Sequence, residues 1–317
     1  MKIKMLVLGG TGFIGRNLIE YFLGKKKYII TATHFKTKKI KSLPVNWINI
    51  DLRDPKKLKN LFKDFDVVLQ FAATTSGSSD IVNRPYIHVT DNAVMNSLIL
   101  REIFDSNIKH FIFPSCTVMY HSSKRPLKES DFNENKRIHP KYFGVGNTKV
   151  YIEKMCEFFS GIDQTKKYTV IRHSNLYGPY DKYDLQKSHM FGANITKVLK
   201  NTNGKIIIWG KGKEKRDLLY IKDFCKFVEK AIKNQKNKFE LFNVGYGKDY
   251  SVLDIVKKII KFSKKKISID FDLSKPSIPT FLSLNCNKAK KELNWVHEIS
   301  VDKGIQKTIK WYLKNVK

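Results

Sequence analysis

The chain is poor in cysteine and poor in acid. Four cysteines in 317 residues, Cys116, Cys156, Cys225 and Cys286, lie far apart and form no C-x-x-C pair. That spacing supports neither a disulfide framework nor a zinc site, so the thiols read as free and no metal is expected. No stretch approaches the roughly twenty uninterrupted apolar residues of a membrane-spanning helix. The opening MKIKMLVLGG enters a strand-and-glycine pattern rather than a cleavable leader. The expected address is cytoplasmic, with no membrane partner. Internal repeats and low-complexity linkers are also missing. Acidic residues number 29 against 60 lysines and arginines, a net charge of +31. A field of that sign attracts phosphorylated ligands as readily as nucleic acid. The lysines, however, are scattered through short runs such as 25–27 and 264–266 rather than gathered into one stripe. They read as solvated faces, and nucleic acid is not an expected partner.

What the chain does have is a steady alternation of apolar strands and amphipathic helices, with 42% hydrophobic residues to fill a core. Residues 3–8 form an apolar run that ends in glycines, and 13–22 then show helical spacing. Further strands are expected over 28–33, 47–50, 67–71, 111–113 and 169–172. The helices between them start after Asp54-Pro55 and cover 92–104 and 149–159. Such succession predicts an α/β protein, a Rossmann doubly wound parallel sheet over residues 1–173. Beyond Tyr177-Gly178-Pro179-Tyr180 the pattern changes to short strands, such as 206–209, and separated helices. A smaller mixed α/β C-terminal lobe over 174–317 is expected to bind substrate, with about 218–240 returning to the first unit.

Gly9, Gly12 and Gly15 carry the spacing G-x-x-G-x-x-G between the first strand and the first helix. The first allows a tight turn, the second a close approach to a pyrophosphate, and the third close packing of helix on strand. The anion would sit on the amides that open the helix, at Phe13 and Ile14. Sites for the dinucleotide lacking a 2′-phosphate place an acid at the end of the second strand. Here Thr33, His34, Lys36 and the following lysines supply a hydroxyl and cations instead, which favours NADP(H) over NAD(H). Asp51 and Leu52 follow the third strand, placed to meet the adenine.

Further segments extend the pattern: Phe71-Ala72-Ala73, Pro114-Ser115-Cys116-Thr117, Lys149, and Asn175-Leu176-Tyr177-Gly178-Pro179. Asp184-Leu185, Ser188-His189, Trp209-Gly210-Lys211-Gly212 and Arg216-Asp217-Leu218-Leu219 follow in order. With the glycine turn, this series over nearly the whole chain resembles the extended short-chain dehydrogenase/reductase family. More specifically, it resembles that family's branch of GDP-L-fucose synthase and related nucleotide-sugar epimerases and reductases. The resemblance implies that Ser115 and Thr117 hold the reacting sugar oxygen and that Lys149 binds the nicotinamide ribose. It implies that Ala72 and Ala73 flank the cofactor, that His189 moves a proton, and that Asn175, Lys197, Trp209 and Arg216 bind a nucleotide-linked sugar, with GDP favoured. Lys197 stands where the family has arginine, and Thr117 where it has a catalytic cysteine. A one-residue offset would put Cys116 itself at the serine position. The family would also pair subunits through the helices of 92–104 and 149–159, giving a homodimer.

One departure matters for the chemistry. The family tyrosine lies four residues before the lysine, one helical turn, and that position holds Val145. Tyr142 lies seven residues before Lys149, about 10 Å along a continuous helix at roughly 1.5 Å per residue. Three readings stand: Gly144 and Gly146 break the helix and fold Tyr142 back, another group such as Tyr120 or a water serves, or the proton transfer is lost. The functional reading is therefore an NAD(P)-dependent nucleotide-sugar epimerase or reductase acting at or next to C4, in the supply of cell-surface glycan precursors. The alternative is a non-catalytic protein that binds the dinucleotide and sugar nucleotide.

Overall fold

The computed structural model of the chain describes residues 2–75, 84–185, 188–274 and 280–316. Its first strands are β1 (Ile3–Leu8), β2 (Tyr28–His34), β3 (Asn46–Asn49), β4 (Val67–Gln70), β5 (His110–Pro114) and β6 (Lys167–His173). The helices between them are α1 (Phe13–Leu23), the single turn α2 (Pro55–Leu58), α3 (Thr90–Phe104) and α4 (Phe143–Ile162). After β6 come β7 (Asn175–Tyr177), α5 (Met190–Leu199), β8 (Lys205–Trp209), β9 (Lys215–Tyr220), α6 (Ile221–Asn234) and β10 (Phe239–Val244). The chain then runs through β11 (Asp249–Ser251), α7 (Val252–Ser263), β12 (Ser268–Asp272), α8 (Asn287–Leu293) and α9 (Val301–Asn315).

Seven strands form the main sheet in the order β10-β6-β5-β4-β1-β2-β3, all pairs parallel. This is the Rossmann arrangement expected from the alternation. Both faces are covered, which is why Met5, Leu6, Val7 and Leu8 are all fully buried and the strand reads as apolar rather than alternating. Met5 and Val7 join α1 and α6 on one face, while Leu6 and Leu8 join α3 and α4 on the other. Strand order reverses beside β1, and the crevice outside the carboxyl ends of the strands at such a reversal is where ligands bind in open α/β sheets.

Local chemistry explains the element starts. Asp54 caps α2 by accepting from the amides of Lys56 and Lys57, with Pro55 at the first helical position. The helix expected to begin at Lys149 begins at Phe143 and runs without interruption through Gly144 and Gly146. The helix break, one of the three readings of the tyrosine's position, is therefore absent. The two glycines instead let neighbours in: an added Cβ would lie 2.8 Å from Val89 Cγ2 at Gly144 and 3.0 Å from Ile138 at Gly146.

The chain leaves the large sheet after His173, where β7 joins β9 in a three-stranded sheet with β11. It comes back through α6 and β10, which pairs with β6 from Phe239 opposite Tyr168 to Val244 opposite His173. This return runs through Val244, beyond residue 240, and β9 itself belongs to the small sheet. Helices α5, α7 and α9 enclose the small lobe's own apolar cluster around Tyr177, Phe191 and Ile255. Among the described residues, no helix is long and apolar enough to cross a membrane.

Phe227 on α6 is fully buried, edge-on to Phe242 at 5.7 Å and to Trp295 at 5.5 Å, and so fastens the returning segment to the first core. Phe227→Ala is expected to cost about 3–5 kcal/mol, read as a lowered denaturant midpoint with an unchanged slope.

Candidate active site

The glycine turn is built by mutual contact. Gly9 has a φ of +76°, and a Cβ there would lie 2.7 Å from Ala72 Cα. At Gly15 a Cβ would collide with the Gly9 carbonyl oxygen. Glycine is required at both places, because helix, turn and the loop after β4 are in backbone contact. No side chain caps α1, whose first residues are Phe13 and Ile14, so its leading amides have no side-chain partner. Such an end accepts an anionic diphosphate. Gly12 completes the turn by donating to the Gly9 carbonyl at 3.0 Å.

The edge beside the glycine turn continues along the ends of β2, β3 and β4. The Thr33 hydroxyl accepts from the Gly9 amide at 3.0 Å, so it fastens the turn to β2. His34 lies edge-on to Trp47, and its Nδ1 donates to the Thr37 carbonyl at 3.1 Å. Lys36 is exposed beyond it. Arg53 grips the Asp51 carboxylate through Nε at 3.0 Å and a terminal nitrogen at 2.8 Å, and that hydrogen bonding holds the acid below its usual range. Arg53 also pairs with Asp91 at 2.9 Å. Leu52 puts its side chain into the core, which leaves its backbone and Asp51 at the edge. The Ala72 amide donates to the Gln70 side chain at 3.1 Å, and Ala73 beyond it is exposed.

At the ends of β5 and β6 the structure separates residues that are adjacent in sequence. Ser115 is buried, and its hydroxyl donates to Glu153 on α4. The expectation that Ser115 faces the reacting oxygen gives way to a role behind the site, because its hydroxyl is committed to that carboxylate. Cys116 and Thr117 are the partly exposed residues of this turn. Lys149 donates from Nζ to the Pro114 carbonyl at 2.8 Å and lies 4.6 Å over the Phe113 ring. Burial pushes its pKa down, while the neighbouring Cys116 and Glu153 act to keep its proton. Burial pushes the Cys116 thiol up, with Lys149 opposing.

Tyr142 sits in a 3₁₀ turn (Pro140–Tyr142) directly before α4. It makes no hydrogen bond to Lys149 among the described residues. Its electrostatic neighbours are Arg216 and Cys116, and burial raises its pKa, so it stands as a protonated phenol. Tyr120 is not available as its substitute. It is buried, donates to Asn243 at 2.9 Å, accepts from Arg172 at 3.0 Å, and is pushed up to about 12 by burial.

From the small lobe, Arg216 on β9 donates to Thr280 through the carbonyl at 2.9 Å and the hydroxyl at 2.6 Å. Asn175 on β7 donates to the Asp217 carbonyl at 3.2 Å. Lys197 on α5 donates to the Ile207 carbonyl at 3.0 Å and lies 5.6 Å over Trp209, whose ring is 43% exposed. His189 directly precedes α5, and burial, reinforced by Lys182 and His88, lowers its pKa. Lys182 bridges the two lobes by donating to the Thr75 carbonyl at 3.1 Å.

Three residues that sequence reasoning missed complete the set. Glu153 lies four residues after Lys149, so one face of α4 presents both. Arg172 pairs with Glu153 at 2.6 Å with both side chains about 5% exposed or less. His173 ends β6, and its charge environment includes Lys149 and His189. A signal was present in the first two cases: an arginine inside the apolar run of β6 demands a buried acid.

A model of the NAD dependent epimerase/dehydratase family matches residues 5–245. The chain belongs to that family. It is 25% identical over 316 residues to GDP-L-colitose synthase of Yersinia pseudotuberculosis, covering 98% of both chains. It is 28% identical over 319 residues to GDP-L-fucose synthase of Azorhizobium caulinodans, covering 98% of this chain and 96% of that one. The fold is that of UDP-glucose 4-epimerase from Thermotoga maritima, with a TM-score of 0.87 at 22% identity over 99% of this chain and 100% of the other. Family and relatives make this a nucleotide-sugar epimerase/dehydratase-type enzyme with a Rossmann fold.

Removing one partner of a buried, hydrogen-bonded ion pair strands the other charge. Glu153→Ala is expected to destabilise the protein by about 3–5 kcal/mol, measured by chemical denaturation, whereas Ser115→Ala should cost about 1–3 kcal/mol.

Proposed function

We propose that the protein is a cytoplasmic NAD(P)-dependent epimerase or reductase acting at or next to C4 of a nucleotide-linked sugar, with a GDP-sugar favoured, in the supply of cell-surface glycan precursors. The observation that carries this reading is the electrostatic grouping of Lys149, Cys116, Tyr142 and Arg216, which brings both lobes to one place. Two GDP-sugar synthases among the relatives support the choice of base. The exposed Lys36, with no acid at the end of β2, supports NADP(H).

The turn at Gly9, Gly12 and Gly15, with the amides of Phe13 and Ile14, fits a dinucleotide diphosphate, and His34, Lys36, Asp51, Leu52, Ala72 and Ala73 line its remaining length. When bound, the nicotinamide supplies or accepts hydride. Lys149 holds the ribose beside it. Cys116 and Thr117 hold the reacting oxygen, and Tyr142, kept as a phenol, donates a hydrogen bond toward it. His189 serves a proton on the carbon next to C4. Arg216 and Asn175 take the sugar nucleotide, with Lys197 and Trp209 beside them, and Ser115 positions the turn from behind. A second reading, binding without turnover, rests on Val145 at the position one turn before Lys149.

Purified protein with NADPH and a panel of GDP-linked 4-keto sugars in heavy water separates these readings. Loss of reduced-nicotinamide absorbance with a reduced product is the expected result for a reductase, and deuterium uptake without cofactor loss for an epimerase. Tight binding without either signal would favour the second reading. Lys149→Met should lower turnover by at least about 10²-fold, and Lys36→Ala should weaken NADPH roughly tenfold while sparing NADH.

Subunit pairing through α3 and α4 is part of the proposal. Val94, Tyr151, Phe158 and Ile162 expose apolar surface on these two helices. Sedimentation should give a dimer for the parent chain and a monomer for Phe158→Asp; a monomeric parent would remove this element.

A further inference from the structure

We propose that His173, at the carboxyl end of β6, is the catalytic residue that exchanges the proton of the reacting sugar hydroxyl, taking the place of the tyrosine missing at position 145. This rests on the function proposed above and names the residue that the reaction otherwise lacks. Oxidation of a hydroxyl needs a proton acceptor. Cys116 and Tyr142 are both held protonated by burial, so they can donate but not accept near neutral pH. Lys149 keeps its Nζ on the Pro114 carbonyl.

His173 meets the requirement in three ways. Its Nδ1 lies 2.8 Å from the Ser174 carbonyl oxygen, which can only accept, so Nδ1 carries the proton and Nε2 is the bare nitrogen. Nε2 makes no hydrogen bond among the described residues, and His173 as a residue is partly buried. The ring is held edge-on at 5.6 Å by Phe224 from α6, which fixes its plane without using a nitrogen. The charged or titratable groups that face it are Lys149 from α4 and His189 from the start of α5. Burial, reinforced by those two groups and opposed by the Ser174 bond, lowers its pKa to about 4, leaving a neutral imidazole.

In the oxidative direction the hydroxyl proton passes to Nε2 and the O–H electron pair becomes the second carbon–oxygen bond. The C–H pair leaves with its hydrogen as hydride to the nicotinamide, so the sugar is oxidised and the dinucleotide reduced. Reduction runs the same transfers in reverse, with the imidazolium returning the proton. A packing role alone would be met by any ring against Phe224, and a role in holding the nicotinamide would appear in cofactor affinity.

The test compares the full-length parent with His173→Asn and His173→Phe, the second preserving the ring contact in case the first fails to fold. Single-turnover hydride transfer from the sugar to NADP⁺ in the parent should fall as pH drops through about 4. The variants should lose about 10²–10³-fold in rate and lose that acid limb, with NADPH affinity unchanged. Nitrogen-15 spectra of histidine-labelled parent should show the Nδ1–H tautomer and a shift of His173 Nε2 when NADP⁺ and GDP-mannose are added together. Turnover retained in both variants, or an unmoved Nε2 signal, would overturn the role of His173 and leave the proposed function standing. Weakened cofactor binding with an unchanged pH profile would also overturn it. No turnover by the parent on any sugar of the panel overturns the proposed function and this inference together.

Discussion

The buried pair of Arg172 and Glu153 ties together pieces of chain that are remote in sequence. Glu153 on α4 accepts from Arg172 on β6 and from the Ser115 hydroxyl after β5. Arg172 also reaches Tyr120 and the carbonyl of Glu129. Tyr120 in turn holds Asn243 on β10, whose amide nitrogen is held by the Glu129 carboxylate. A charge so far from water persists only where every donor and acceptor is matched. That demand fixes α4 against the ends of β5 and β6, and with it the height at which Lys149, one turn earlier, meets Cys116.

The same network assigns the division of labour in the turn after β5. Because the Ser115 side chain is drawn inward by Glu153, the next residue is left at the cleft, and the next residue is a cysteine. The site therefore presents a thiol and a phenol that burial keeps protonated, and the Lys149 amine, whose charge burial opposes and Cys116 and Glu153 favour. Neither the thiol nor the phenol is a base at neutral pH, and the role proposed for the histidine at the end of β6 is to supply that property.

The second constraint is the close backbone contact of the glycine turn. Gly9 rests on Ala72, and Thr33 ties Gly9 to β2, so three strand ends are held to one turn. The small lobe is joined to this edge by β6–β7, α6 and the Lys182 to Thr75 contact.

The fold was legible in the sequence because its signals are local. Apolar runs, helical spacing, the Asp54-Pro55 cap and three glycines each act within a few residues, and the parallel sheet follows from their alternation. Lys149 and Arg216 were legible as site residues by pattern. The start of α4 was not, since Gly144 and Gly146 read as breakers until Val89 and Ile138 are seen to fill the space a side chain would need. The inward turn of Ser115, the commitment of Tyr120 and the setting of His173 were equally hidden. Each depends on a partner between 1 and 123 positions away, from Ser174 beside His173 to Asn243 opposite Tyr120, and on which face of the strand that partner occupies. Sequence by itself determined the sheet, the glycine turn and the set of reactive side chains. Tertiary structure alone decided which of them face the cleft, because burial and hydrogen-bond satisfaction are properties of the assembled neighbours rather than of the chain.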